Sequence, residues 1–263
     1  MDQLPAFSFD DYRLLLRALK GRGAGFHRVS DLPGLRDAAN FVCLRHDVDC
    51  HLLGTGDMAA LEAEEGVPST YYVLMTAHYN PRSKACRPAL RRLVELGHEV
   101  GLHYDLSTYP VEPEAAAVHL RNEAAALADA AGAPVRTISC HYPHKSLPDS
   151  FKSSDEFVHC HDPRYTQDVL YVSDSSRGWR DDNVIQWMNR APAFPQRGLQ
   201  FLTHPEVWYA GHLRDRIQYC DEVLQPLAAG EVNDFIMREL RDIWLTHDGA
   251  RMHDERERAA GRL

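Results

Sequence analysis

Apolar, β-branched runs alternate with helix-periodic stretches between residues 41 and 204, and four of the runs end in His or Asp. FVCLRHD (41–47), STYYVLM (69–75), HEVGLH (98–103), VRTISCH (135–141) and LQFLTH (199–204) read as buried strands. Between them lie helical stretches at about 56–65, stopped by Gly66, and from Pro88 through Leu96, stopped by Gly97. A third, Ala-rich helix runs from Glu112 to Ala131 and is closed by Gly132. The alternation predicts an α/β fold, either a parallel sheet or a β/α barrel, with chemistry at the carboxyl ends of the strands. His46, Asp47 and Asp49 follow the first strand, and His103, His141 and His204 end three others.

The rest of the chain is read around that core. Ser8 caps a helix over Phe9–Lys20 with Tyr12, Leu15, Leu16 and Leu19 on one face, and a GRGAG loop follows. Residues 142–198 are irregular, with short strand candidates at Phe157–His159 and Val169–Ser173. Two helices are expected at the C-terminus, one through Leu213, Ile217, Cys220, Leu224 and Leu227, the next from Val232 to Ile243. No linker divides the chain, so residues 1–263 are expected as one domain. Its motif-bearing core lies at about 41–209, with a helical C-terminal part at 212–245.

Composition narrows the partners. With 38 acidic against 29 basic side chains and a net charge of −9, the chain lacks the clustered cations that replace phosphate counterions. Nucleic acid and anionic membrane surfaces are therefore not expected partners. No apolar run approaches the roughly 20 residues of a spanning helix. MDQLPAFSFD shows no basic-then-apolar leader, and the six scattered cysteines form no CxxC pair. Free thiols and a cytoplasmic location are the expectation.

Asp47 and Asp49 are two residues apart, so on an extended chain they face one side. Two carboxylates that close favour a cation beside them. One can bind metal while the other takes a proton from water. The alternative is an Asp pair that caps the next helix or pairs with Arg45. His103 reads either as a ligand or as a strand-end histidine bonded to backbone. His98 should face the other way and is structural. His159, Cys160 and His161 are read as a solvated loop, because sequence neighbours rarely chelate one ion.

The strings LRHDVD (44–49), GHEVGLHYD (97–105), YVSDSSRGWR (171–180) and LTHPEVW (202–208) resemble the polysaccharide deacetylase superfamily, the NodB-homology fold, in its HDVD-type branch. The resemblance implies a distorted β/α barrel and a zinc or similar divalent ion. It also implies removal of acetyl or formyl groups from amide nitrogens. It places Asp47 as catalytic base, Asp49 and His103 as metal ligands, and His204 as the acid that protonates the leaving amine. Trp179 and Arg180, with Arg45 and Asp174, are expected to line the substrate pocket. The family's commoner form puts a second ligand histidine four residues after the first, where this chain has Ser107. A hydroxyl is a poor zinc ligand, so His141 is preferred as the third ligand, with Asp105 as its rival. His144 is expected outside ligand distance.

The expected activity is thus metal-dependent de-N-acylation of an amino sugar or a related small amide. The ion is zinc, with cobalt, nickel or manganese as alternatives. Hydrolysis of another C–N bond, such as a ureide or cyclic amide, and a non-catalytic sugar-binding barrel are the competing readings.

Overall fold

The computed structural model describes residues 6–141, 152–175, 177–179, 183–190, 195–213 and 215–236. Eight strands form one sheet: β1 (Gly25–His27), β2 (Phe41–Val48), β3 (Thr70–Leu74), β4 (Glu99–Tyr104), β5 (Thr137–Cys140), β6 (Val158–His159), β7 (Val169–Ser173) and β8 (Gly198–Thr203). The order is β6-β5-β4-β3-β2-β8-β7, with β1 added against the first half of β2. Every pairing is parallel. The strand ends that carry the candidate residues therefore lie along one edge.

The sheet curls. Gln200 of β8 donates to the backbone carbonyl of Cys160, just past β6, at 2.7 Å, although four strands separate β6 from β8. β6 and β7 are not paired with each other, so the expected barrel is open on that side. β2 is buried along its whole length and divides its side chains between two cores. Phe41 and Cys43 meet Tyr72, Cys160 and Tyr165 inside the curl. Val42 and Leu44 pack outward on Tyr12, Leu15 and Leu16 of α1 (Phe9–Gly21). Arg45 and Asp47 follow the inward set and His46 the outward one, as the two-residue period requires. Each fully buried aliphatic or aromatic side chain here stabilises the fold by about 1.5–3 kcal/mol.

The inside of the curl is tight enough to demand glycine at Gly101. A Cβ on Gly101 of β4 would stand 2.5 Å from the Tyr72 ring and 2.6 Å from Thr137 Oγ1. Outside, α2 (Thr55–Glu64), α3 (Cys86–Glu95) and α4 (Pro113–Ala131) cover β3, β4 and β5 through Ala59, Leu90, Leu93, Leu120 and Leu127. Gly66, Gly97 and Gly132, the expected stops, all have positive φ. Ser8 caps α1 through Asp11 N–H, and the four apolar positions read on that helix are its buried ones.

Some elements depart from the sequence reading. β1 begins inside the GRGAG loop, where Gly25 and Phe26 find a free stretch of β2 to pair with. Helices α5 (Pro163–Thr166) and α6 (Asn183–Asn189) lie in the stretch read as irregular. The C-terminal part is continuous rather than two helices over the described residues. It runs through α7 (Arg216–Tyr219), a π turn at Cys220–Leu224 and α8 (Gln225–Ile236). Pro226 has no N–H to give the turn before it, which suits a π turn there. None of the six cysteines is in a disulfide. Among the described residues, no helix is long and apolar enough to cross a membrane.

Candidate metal centre and catalytic residues

Asp49 comes just past the end of β2, His103 lies in β4, and His141 follows β5; the parallel register brings all three to one edge. His141 Nδ1 lies 3.1 Å from His103 Nε2. Asp49 Oδ1 lies 3.5 Å from His103 Nε2 and 3.6 Å from His141 Nδ1. With metal–ligand bonds of about 2.0–2.1 Å, tetrahedral ligands stand about 3.4 Å apart, so the triangle has the right size for one ion. Among the described residues this is the one cluster of three such donors.

The donor chemistry fits as well as the spacing. His103 Nδ1 is 3.0 Å from the Ser139 carbonyl and must donate to it. Burial lowers the His103 pKa, outweighing the attraction of Asp47 and Asp49. The ring is therefore neutral with a lone pair on Nε2, the tautomer a metal ligand needs. Asp49 Oδ1 is buried without a hydrogen-bond partner, an arrangement that favours a nearby cation. Asp49, His103 and His141 are thus the residues that would hold a divalent ion. Asp105, the rival ligand, instead caps the turn at Leu106–Thr108 by accepting from Ser107 N–H at 2.9 Å. Ser107 itself is exposed.

Asp47 borders this cluster, with Oδ2 3.7 Å from His103 Nε2. Arg45 Nη2 donates to that same oxygen at 2.7 Å, while Oδ1 is buried and has no hydrogen bond. Burial would raise the Asp47 pKa, but Arg45, followed by His103 and His204, holds it at about 2. The carboxylate is ionised at neutral pH with one oxygen uncommitted.

His204 stands on the other side. Its Nε2 is 3.9 Å from Asp49 Oδ2, and its Nδ1 is 2.6 Å from Asp174 Oδ1. Burial would lower the His204 pKa, but the Asp174 carboxylate lifts it to about 10. The ring is a cation at neutral pH and Nε2 carries a proton.

Two residues expected to line the pocket have other work. Asp174 is fully buried, and it also accepts from His204 N–H and from Trp208 Nε1 at 2.8 Å. Arg45 is 1% exposed, bonded to Asp47, Cys160 and His161 and lying 5.3 Å above the Tyr72 ring. Each is bonded to a neighbouring side chain, Asp47 or His204, rather than meeting solvent. Trp179 is half-buried in an aromatic stack, 5.4 Å from Phe7 and 5.8 Å from Phe201. Arg180 and His144 lie outside the described residues.

The reading of 159–161 as a solvated loop is corrected. His159 pairs with Tyr104 through Nε2, Cys160 is fully buried, and His161 Nε2 accepts from Arg45 at 3.2 Å. Pairing of β6 with β5 draws the segment into the curl. His98 is structural as expected, bonded to Ser69 and the Ala59 carbonyl. The sequence reading missed Glu206, 3% exposed, whose Oε1 accepts from Asp49 and Cys50 N–H at 3.1 and 3.3 Å. A carboxylate two residues past His204, inside the apolar string LTHPEVW, was the available signal.

No protein-family model matches the chain, and no curated protein sequence matches it. Solved structures do match. In fold, the chain is similar to CE4-family structures. The Xyl-CE4 domain of a multidomain xylanase from the hindgut metagenome of Trinervitermes trinervoides matches at 13% identity and a TM-score of 0.42, over 73% of this chain and 82% of that one. The peptidoglycan deacetylase PdaC from Bacillus subtilis matches at 15% and 0.42, over 80% and 98%. A CE4-family pseudoenzyme from Bacillus anthracis matches at 15% and 0.41, over 73% and 60%. Likeness of that degree decides nothing about chemistry, which rests on the side chains above.

Proposed function

We propose that this chain is a divalent-metal-dependent hydrolase that removes an N-acyl group from an amino sugar or a related small amide. The observation that carries the reading is a three-donor cluster flanked by two differently tuned groups. Asp49, His103 and His141 stand at ligand spacing. Beside them are an ionised Asp47 held by Arg45 and a protonated His204 held by Asp174. A base and an acid with pKa values pushed apart are what amide hydrolysis requires.

A divalent ion on Asp49, His103 and His141 would supply Lewis acidity toward the acyl carbonyl and acidify a water molecule. Asp47 takes the proton from water as the new C–O bond forms. Arg45 keeps that carboxylate oriented and ionised. His204 gives its Nε2 proton to the departing nitrogen, without which an amide expels a very poor leaving group. Asp174 fixes the ring and stabilises the cation that precedes the transfer.

Screening N-acetylated and N-formylated amino sugars with zinc, cobalt or nickel, with detection of free amine, tests the activity. Turnover of none of these substrates, alongside turnover of ureides or cyclic amides, would move the assignment to another C–N bond. Metal uptake without any turnover would leave a binding protein. The purified chain is expected to hold about one divalent ion. That ion should be lost in Asp49→Ala, His103→Ala and His141→Ala and kept in Asp105→Ala. Elemental analysis showing metal retained without His141 but lost without Asp105 would reverse the choice of third ligand.

His204→Ala should keep the ion and slow amide hydrolysis by roughly 10²-fold. Esters with good leaving groups should be slowed much less, since they need no proton. Equal slowing of both substrates would remove the acid role from His204.

A further inference from the structure

We infer that Glu206 is a positioning residue for the metal centre, holding the backbone at Asp49 so that its carboxylate meets His103 and His141. This rests on the proposed function and adds to it a residue that neither binds the ion nor touches the amide.

Asp49 is the residue immediately beyond β2, where the strand pairing that fixes Val48 has ended. Its N–H and that of Cys50 therefore need an acceptor elsewhere. Glu206 Oε1 provides one, at 3.1 and 3.3 Å, with the Cys50 thiol at 3.5 Å on the same oxygen. Glu206 is itself fixed. It lies in the single turn Pro205–Val207 directly after His204, and Tyr219 donates its hydroxyl to the Glu206 carbonyl at 2.6 Å. One side chain thus ties the loop bearing a metal ligand to the segment bearing the acid. The 3.9 Å between His204 Nε2 and Asp49 Oδ2 spans that same junction.

Stability alone does not explain a carboxylate here. Glu206 is 3% exposed, its Oε2 is buried without a hydrogen bond, and Asp49 repels it. A buried acid in that situation is costly, and an apolar side chain of similar volume would pack at lower cost. What an apolar side chain cannot do is accept from two successive N–H groups. Those bonds fix where the Asp49 side chain leaves the backbone, and partners that orient ligands in this way commonly change metal affinity 10–100-fold.

Cobalt(II) alone, titrated calorimetrically into the metal-stripped full chain, tests this. Glu206→Gln keeps both volume and an acceptor oxygen, and its dissociation constant should lie within about threefold of wild type. Glu206→Met keeps volume without an acceptor and should bind cobalt roughly 10–100-fold more weakly, with an unchanged near-ultraviolet circular dichroism spectrum. Glu206→Ala, which cannot overpack, is the second variant and should weaken binding by as much. Wild-type affinity in the Met and Ala variants overturns the inference while leaving the metal centre standing. A Gln variant as weak as Met also overturns it, because charge rather than hydrogen bonding would then matter. A wild-type chain that takes up no cobalt removes the metal centre itself.

Discussion

Asp47→Asn is expected to leave metal uptake and fold in place and to cut amide turnover by roughly 10²–10⁴-fold. The change is nearly isosteric, and the amide oxygen can still accept from Arg45, which now holds Oδ2 at 2.7 Å. What is lost is the basic lone pair of a carboxylate whose Oδ1 is buried and uncommitted beside the metal-ligand cluster. Asp47 is not among the three residues at mutual ligand spacing, so the ion should be retained. Single-turnover rates together with metal content per chain check both halves. Wild-type turnover in the variant would remove Asp47 from the mechanism. Loss of the ion would make it a ligand rather than a base.

The second large effect lies behind the sheet and concerns stability. Glu62 is wholly buried and sits at the hub of a polar network. Its Oε1 accepts from Tyr12 at 2.5 Å and lies 2.7 Å from His46 Nε2; its Oε2 accepts from Ser69 and Tyr71 at 2.7 and 2.9 Å. Glu62→Ala strands these donors in an apolar core and should lower the unfolding free energy by about 3–5 kcal/mol, read from urea denaturation. The pH dependence has a definite sign. Burial would raise the Glu62 pKa, but His46, His98 and Tyr12 hold it at about 2, against an ordinary value of 4.5. A depressed carboxylate stabilises the folded state fully above its ordinary pKa, and that contribution disappears as pH falls from 4.5 toward about 2. Wild type should therefore lose more stability than Glu62→Ala across that window. Parallel curves for the two proteins would show that Glu62 is not ionised in the fold.

That network explains part of what the sequence left hidden. His46 Nδ1 is 2.6 Å from Thr203 Oγ1 on the outer face of the sheet, and each residue directly precedes a candidate site residue, Asp47 or His204. Alternation along β2 and β8 sends neighbours in sequence to opposite faces, so Asp47 and His46 were legible as sharing a strand end but not as having separate tasks. The strands, their terminal polar residues and the glycine stops follow from local period and turn chemistry, which one chain segment carries alone. Arg45 and Asp174, expected to line the pocket with Trp179 and Arg180, are instead buried. Arg45's link to Asp47 lay within the local pattern, but the burial of both residues comes from Cys160, His204 and Trp208, 30 to 115 residues away, which that pattern does not supply. The segment 159–161 was misjudged for the same reason. Its three polar or weakly polar side chains look solvated until a two-residue strand pairs with β5 and turns them inward. Glu206 was missed because its partners, the N–H groups of Asp49 and Cys50, are backbone and leave no trace in side-chain composition.

The curled parallel sheet has a further consequence for how this chain behaves as a whole. The three donors come from the ends of β2, β4 and β5, with β3 between the first two, and His204 comes from β8 across the seam with β2. No contiguous fragment smaller than most of the sheet contains the site, and separation of any one of these strands dismantles it. An ion held there would bind only the fully folded molecule, so its binding free energy adds to global stability rather than to a local loop, about 2.7 kcal/mol at a hundredfold excess over the dissociation constant. Occupancy would then act as a record of folding. A chain that has slipped register in one strand would have lost the candidate ion site together with the arrangement of Asp47 and His204 beside it.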